Sequence, residues 1–337
     1  MLLNVSHLTC SFRIAGREVP IVDDVSFQLR EGACLALVGE SGCGKSMTAL
    51  SLLRLLPRGG RITGGSVEFL GKDLLKYSVP QMYGVRGSEI SMIFQEPMTS
   101  LNPVMRVGDQ VMEAVLLHEK VSKQAARERG IELFKRVGIP DAAARFDTYP
   151  HQMSGGLKQR VMIAMALVTR PKVLLADEPT TALDVTIQAQ IIEALRELQR
   201  DFQTAVLLIT HDLGVVNQIA DDIAVMYAGR IVEQGARRTL LGHPQHPYTR
   251  GLLGALPGRA GPKARLAEIQ GNVPSPKSWP SGCRFRPRCP LAHNECEVHV
   301  PQLTQVGQNR TGVACFAVQP GAAGVFSDDS KENTHEL

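Results

Sequence analysis

Gly39-Glu40-Ser41-Gly42-Cys43-Gly44-Lys45-Ser46 decides how this chain is read, because it satisfies G-x-x-x-x-G-K-[ST] at every fixed position. It follows the apolar run Leu35-Ala36-Leu37-Val38 and precedes Leu50, Leu52, Leu53, Leu55 and Leu56. The segment therefore reads as strand, loop and buried helix, the helix ending near Pro57 and the Gly59-Gly60 pair. In such a loop the glycines let successive backbone N–H groups, those of Ser41 and Cys43 among them, close around β- and γ-phosphates at the positive end of a helix. Lys45 then reaches the phosphates and Ser46 offers its hydroxyl to Mg²⁺. A glycine-rich turn with a solvated lysine is the bland alternative, and the strand and helix on either side argue against it.

A second element, Val173-Leu174-Leu175-Ala176-Asp177-Glu178, is an apolar strand that delivers two carboxylates at its end. Asp177 is placed to hold the Mg²⁺ shell and Glu178 to polarise an attacking water. An Asp-Glu pair closing a strand is common surface chemistry by itself, and the phosphate loop upstream gives this one its meaning.

Around these two elements the pattern is α/β. Short apolar runs at Ile21-Val22, Val25-Ser26-Phe27 and Val67-Glu68-Phe69 read as strands between glycine turns. Ala205 to Ile209 is continuous and apolar, as a parallel strand covered on both faces should be, with a helix from Ile187 to Arg200 before it. From about Asn102 to Arg160 the text turns helical, with Val111, Val115, Ile131, Leu133, Phe134 and Val137 among charged residues. This predicts a helical subdomain, about residues 96–160, inserted into the α/β core.

The 337 residues, 44% of them hydrophobic, suffice for one main domain and an appendage. The 37 basic side chains nearly balance the 33 acidic ones, so no overall field marks nucleic acid as a partner. No apolar stretch reaches the roughly 18 residues needed to cross a bilayer, and Met1-Leu2-Leu3-Asn4 does not open like a secretory signal, so a cytoplasmic protein is expected. Past residue 240 the composition shifts to Pro, Gly and Arg; Pro257 to Lys263 reads as a linker and residues 319–337 as a frayed tail. Cys283, Cys289, Cys296 and Cys315 crowd into this late part, and in a reducing compartment such a group suggests metal before disulfide.

Met153-Ser154-Gly155-Gly156-Leu157-Lys158-Gln159-Arg160, between the two nucleotide elements, resembles the signature sequence of ATP-binding-cassette proteins. The resemblance covers residues 1 to about 235 and implies a P-loop ATPase of that family over residues 1–240. It implies that Gln95 is the Q-loop residue, a Mg²⁺ ligand with Ser46 and Asp177, that His211 is the switch histidine, and that Phe12 stacks on adenine. It further implies that Ala182-Leu183-Asp184 is the D-loop, and that Ser154 and Gly156 bind a γ-phosphate held by the opposite subunit, so that hydrolysis requires a dimer. Leu157 stands where many members carry glutamine and Met153 where many carry leucine, but the backbone donors remain.

His243 to Thr249, Gly282 to Pro290, Glu96 to Pro103 and Tyr149 to Gln152 are similar to segments of dipeptide and oligopeptide importer ATPases, a branch shared with importers of nickel and other solutes. That similarity implies a C-terminal extension over residues 241–318 and a seat at the cytoplasmic face of a bacterial inner membrane. The implied partners are two polytopic permease subunits, a second, paralogous ATPase and an extracytoplasmic solute-binding protein, with no nucleic acid. The four late cysteines are separated by five, six and eighteen intervening residues, without the C-x₂₋₄-C pairs of a zinc ribbon. An iron-sulfur cluster, zinc and no metal all stay open on spacing, and the resemblance implies a [4Fe-4S] cluster. The eight basic side chains between residues 250 and 288 face Glu268 alone, which suits a thiolate-rich anion or a solvated face. The cassette is expected to fold independently of this extension. A soluble cassette ATPase acting on nucleic acid or ribosomes is the other reading, but a long coiled-coil insert or a second cassette is missing. A metal or redox regulator built on the cysteines is a third.

Overall fold

The computed structural model describes residues 1–96, 100–181, 183–255, 268–307 and 311–318. Strands β1 (Leu3–Ile14), β2 (Arg17–Leu29), β4 (Gly60–Phe69) and β5 (Lys72–Asp73) form an antiparallel sheet in the order β2-β1-β4-β5. The larger sheet holds five parallel strands in the order β9-β3-β8-β7-β6: Asp222–Tyr227, Cys34–Val38, Ala205–Thr210, Val173–Asp177 and Ile90–Ile93. Every residue of β3, β7 and β8 is buried, which is why these runs are continuously apolar rather than alternating.

The two faces of the parallel sheet feed two cores. Leu35 and Leu37 pack with Leu207, Ile209 and the antiparallel sheet's Leu3, Leu8 and Val25, whereas Ala36 and Val38 point into a helical core with Leu208, Val161 and Ile191. The alternation along each strand thus fixes which layer each side chain enters.

Helix α1 (Lys45–Leu52) follows the glycine loop, and α2 (Val79–Val85) precedes β6. The helix after the loop stops at Leu52, short of Pro57. Arg54 adopts the left-handed φ of 53°, its N–H reaches Ser51 O at 3.0 Å and the Leu55 N–H reaches Leu50 O at 2.8 Å. This is a Schellman ending with arginine at the position glycine usually marks, so sequence carries no stop signal there.

Among the described residues four α-helices, α3 (Val107–His118), α4 (Lys123–Arg136), α5 (Ala142–Arg145) and α6 (Gly155–Leu167), lie between β6 and β7 and pack around Phe134 and Phe146, whose rings are 5.1 Å apart. Helices α7 (Val185–Phe202) and α8 (Leu213–Ile219) flank β8. Among the described residues no helix is long and apolar enough to cross a membrane.

Beyond β9 the large sheet continues antiparallel through β10 (Arg230–Ala236), β12 (Thr311–Val313) and β11 (Thr304–Val306). Glu233 pairs with Val313 and Gln234 with Gly312, so the late segment adds edge strands to the cassette's own sheet. Tyr248 and Leu253 of α9 (Pro247–Gly254), and Phe285, belong to the same core as Val38 and Leu208. The cassette and the extension thus share one sheet and one core, which argues against their folding independently. Pro257 to Lys263 and residues 319–337 lie outside the described residues.

Candidate active site

The carboxyl ends of β3, β6, β7 and β8 deliver the loop, Gln95, Asp177-Glu178 and His211 to one edge of the parallel sheet, where α/β proteins place their ligands. Gly44 has φ 109°, and a Cβ there would meet Met226 Cε at 2.7 Å and Ile21 O at 3.0 Å, so only glycine fits. Lys45 is only 5% exposed. Its Nζ donates to Gly39 O at 2.7 Å and Glu40 O at 3.0 Å, which folds the ammonium over the loop. A buried cation solvated by two carbonyls, beside the N–H groups that open α1, is suited to an anion.

Ser46 Oγ donates to Asp177 Oδ1 at 3.0 Å, joining the loop to the end of β7. Burial pushes the Asp177 carboxyl above its ordinary range, the Ser46 hydrogen bond works against this, and the neighbouring Glu178 charge adds to it. A divalent cation beside Ser46 and Asp177 would supply counter-charge to that buried pair of carboxylates.

Glu178 sits at φ 47°, in the left-handed region that costs a non-glycine residue roughly 1–3 kcal/mol, and its N–H is held by Ile209 O at 2.9 Å. Three side chains converge on its carboxylate. Gln95 Nε2 donates to Oε2 at 3.2 Å, Thr181 Oγ1 donates to the same oxygen at 2.8 Å, and His211 Nδ1 lies 3.3 Å from Oε1. Burial pulls this carboxyl upward, but hydrogen bonds from Thr181 and His211, with the Lys45 charge, hold it below the ordinary glutamate range. The result is an ionised carboxylate with fixed orientation, which is what a water-activating base requires. Thr181 was not legible in advance; its only signal is its place three residues after Glu178.

Gln95, Glu178 and His211 thus meet, as do Lys45, Ser46 and Asp177. Ser154 and Gly156 are placed elsewhere: Ser154 caps α6, its side chain accepting from the Leu157 N–H at 3.4 Å, and Gly156 faces α7, where an added Cβ would meet Ile187 Cγ2 at 3.2 Å. Asp184 caps α7, accepting from the Ile187 N–H at 2.9 Å, and Gln188 in that helix donates to Asp212 at 2.7 Å, one residue past His211. Phe12 lies half-buried on β1, opposite Gly60 in the antiparallel sheet. Ala182 lies outside the described residues.

Of the four late cysteines, Cys296 and Cys315 are buried and the other two half-buried. Burial raises the Cys283 thiol, and pushes those of Cys289 and Cys315 up to about 11. The nearby Cys289, Cys283 and Cys296 also raise the Cys315 thiol. Yet among the described residues no three His, Cys, Asp or Glu side chains stand close enough to hold a metal ion. The metal site implied by the resemblance is thus not supported among the described residues: the Leu291 N–H donates to Cys289 Sγ at 3.4 Å, and Cys296 Sγ lies 3.6 Å from His293 Nδ1.

Comparison with known proteins agrees with this geometry. Residues 22–181 match the ABC transporter family and residues 232–296 match the oligopeptide/dipeptide transporter C-terminal region. The chain is 49% identical over 332 residues to the dipeptide transport ATP-binding protein DppD of Bacillus subtilis, covering 98% of this chain and 99% of that protein. It is 49% identical over 316 residues to the oligopeptide transport ATP-binding protein OppD of Salmonella typhimurium, covering 94% and 93%. Among solved structures, the ATP-binding cassette MJ0796, a dimer in a post-hydrolysis state bound to ADP and Pi, superposes with a TM-score of 0.64 at 25% identity, over 70% of this chain and 99% of that one.

Proposed function

This chain belongs to the ATP-binding-cassette transporter family, and we propose that within it the protein is the ATP-hydrolysing motor of an importer for dipeptides or oligopeptides. The observation that carries the catalytic part is the convergence of Gln95, Thr181 and His211 on the Glu178 carboxylate. ATP lies with its phosphates in the loop from Gly39 to Ser46 and its adenine against Phe12. Mg²⁺ would be held by Ser46, Asp177 and Gln95 and would supply counter-charge to the phosphates. Glu178 takes the proton of the attacking water, His211 fixes the orientation of that carboxylate, and hydrolysis gives ADP and phosphate. Ser154 and Gly156 serve the γ-phosphate of an opposing subunit, and Asp184 faces the same partner. The free N–H groups at the start of α6 support this role.

The peptide assignment is supported by the names of relatives that this chain matches over nearly its whole length. The partners on this reading are two membrane-spanning permeases, a paralogous second ATPase and an extracytoplasmic solute-binding protein, and the chain sits peripherally on the cytoplasmic face of the inner membrane. The resemblance to importer ATPases further implies a [4Fe-4S] cluster held by Cys283, Cys289, Cys296 and Cys315, which would supply a structural or regulatory tie once these thiols draw together. Protein isolated without oxygen should then be brown and contain about four irons per chain. One zinc per chain, or no metal, would remove the cluster.

Co-expression with the permeases encoded beside it, followed by reconstitution in vesicles, tests the transport reading. ATP-dependent uptake of a labelled dipeptide supports it. Uptake of nickel alone would change the solute, and failure to co-purify with any membrane protein would favour a soluble ATPase.

A further inference from the structure

All three polar groups of Glu40 are taken. Its N–H donates to Tyr248 Oη at 2.9 Å, its carbonyl accepts from Lys45 Nζ at 3.0 Å, and its carboxylate receives Arg288 Nη1 at 2.6 Å and Nη2 at 3.0 Å. Two of these three partners come from the C-terminal extension, and the third is the phosphate-binding lysine. Arg288 is itself fixed: its side chain is 5% exposed, Nε donates to Gln270 O at 2.9 Å and Nη2 to Ile269 O at 3.0 Å. Tyr248 is equally immobile, packed against Tyr227 and Phe285 with ring centroids 4.7 and 5.4 Å away. A bidentate guanidinium-carboxylate pair has one good geometry, so these contacts specify where Glu40 sits and not merely that it is near.

We propose that Arg288 and Tyr248 are positioning residues for nucleotide binding, through which the C-terminal extension sets the shape of the phosphate loop at Glu40 and hence the placement of Lys45. The loop is anchored on one side by β3 and on the other by α1; between them outside elements hold it at Cys43, whose carbonyl accepts from the Gly229 N–H at 2.8 Å, and at Glu40, where the hold comes from the extension. Freed from Arg288, the Glu40 peptide can turn, and its carbonyl then stops guiding the Lys45 ammonium. Neither Arg288 nor Tyr248 touches the reacting atoms, so the defect falls on ATP binding and spares the chemical step. Cys289 directly follows Arg288 in the chain, which places the cysteine segment one peptide bond from this lever.

The proposal rests on the nucleotide reading given above, and the test separates the two. ATP binding to the full chain is measured by calorimetry with Mg²⁺, and ATPase kinetics are measured alongside, for Lys45→Ala, Arg288→Gln, Glu40→Gln, Tyr248→Phe and the Glu40→Gln/Arg288→Gln pair. Arg288→Gln should weaken ATP affinity and raise KM about tenfold while kcat stays within about threefold. Glu40→Gln should do nearly the same, and the double variant should be no worse than the worse single, because both lose one contact. Should Arg288→Gln fail to fold, Glu40→Gln and Tyr248→Phe carry the test, since the first cuts the same ion pair from its other end and the second cuts the extension's other hold on Glu40. Wild-type affinity in Arg288→Gln or Glu40→Gln, with Lys45→Ala unable to bind, overturns the positioning role alone. Strict additivity in the double variant also overturns it. Wild-type affinity in Lys45→Ala overturns the nucleotide reading and the proposal together.

Discussion

Gln95 Nε2 donates to Glu178 Oε2 at 3.2 Å, joining the chain just after β6 to the residue just after β7. These strands are parallel neighbours, with Ile93 opposite Ala176, so their ends advance in step and their following residues meet. The carboxylate reached by Gln95, Thr181 and His211 is therefore a product of strand register, and its loss can be separated from loss of nucleotide.

Glu178→Gln should retain ATP affinity while turnover falls about 10²–10⁴-fold, because the substitution keeps the shape and removes only the proton acceptor. Steady-state hydrolysis with calorimetric binding on the same sample measures this. Turnover within threefold of wild type would take Glu178 out of the role of base.

Hydrolysis should depend on dimerisation if Ser154 and Gly156 act on a neighbour's nucleotide. The rate per subunit should rise with protein concentration or on adding the partner ATPase. Mixing Lys45→Ala chains with Ser154→Arg chains leaves one intact composite site per mixed dimer, and activity of that mixture above either variant alone is the expected result. A proven monomer with a concentration-independent rate would sink the mechanism.

Ending the chain after residue 240 should destabilise the cassette itself. Glu233 is fully buried and its carboxylate accepts from the Gln245 and His246 N–H groups at 2.8 and 3.0 Å. Truncation removes both donors and bares the edge of β10, which exposes a strand to aggregation. The truncated chain should be poorly soluble or melt well below the full one. A soluble product that melts at the same temperature would show that the shared sheet contributes little.

Acid should weaken the fold through His246. Burial pushes its pKa down to about 3, against a hydrogen bond to Ala314 that works upward. With the folded value below the unfolded one near 6.5, the unfolded chain takes up a proton that the folded chain refuses. Stability on this account is intact above about pH 6.5 and declines toward pH 3, by up to about 1.4 kcal/mol per pH unit. His246→Asn keeps an acceptor for the Tyr248 N–H, which His246 Nδ1 now meets at 3.1 Å. Urea midpoints at pH 7 and pH 5 should therefore differ less in the variant than in the wild type. Parallel losses would clear His246 of the effect.

The phosphate loop, the carboxylates after β7 and the parallel α/β order were legible because each is written in contiguous residues. A phosphate is gripped by successive N–H groups of one loop, and a strand covered on both faces must be apolar throughout. Less could be read at Leu52, where a left-handed Arg54 ends the helix that leucines alone would have continued. The short edge strands of the extension were not legible either, because three-residue strands carry almost no period. Thr181 gave no sign of its hydrogen bond to Glu178. What only the tertiary structure decided is the grip of Arg288 on Glu40, between residues 248 positions apart. An arginine among eight basic side chains looks the same in sequence whether it is solvated or buried. Its partner is chosen by the sheet that carries the chain back to the loop, and a bidentate ion pair forms only when both planes are brought to the same place.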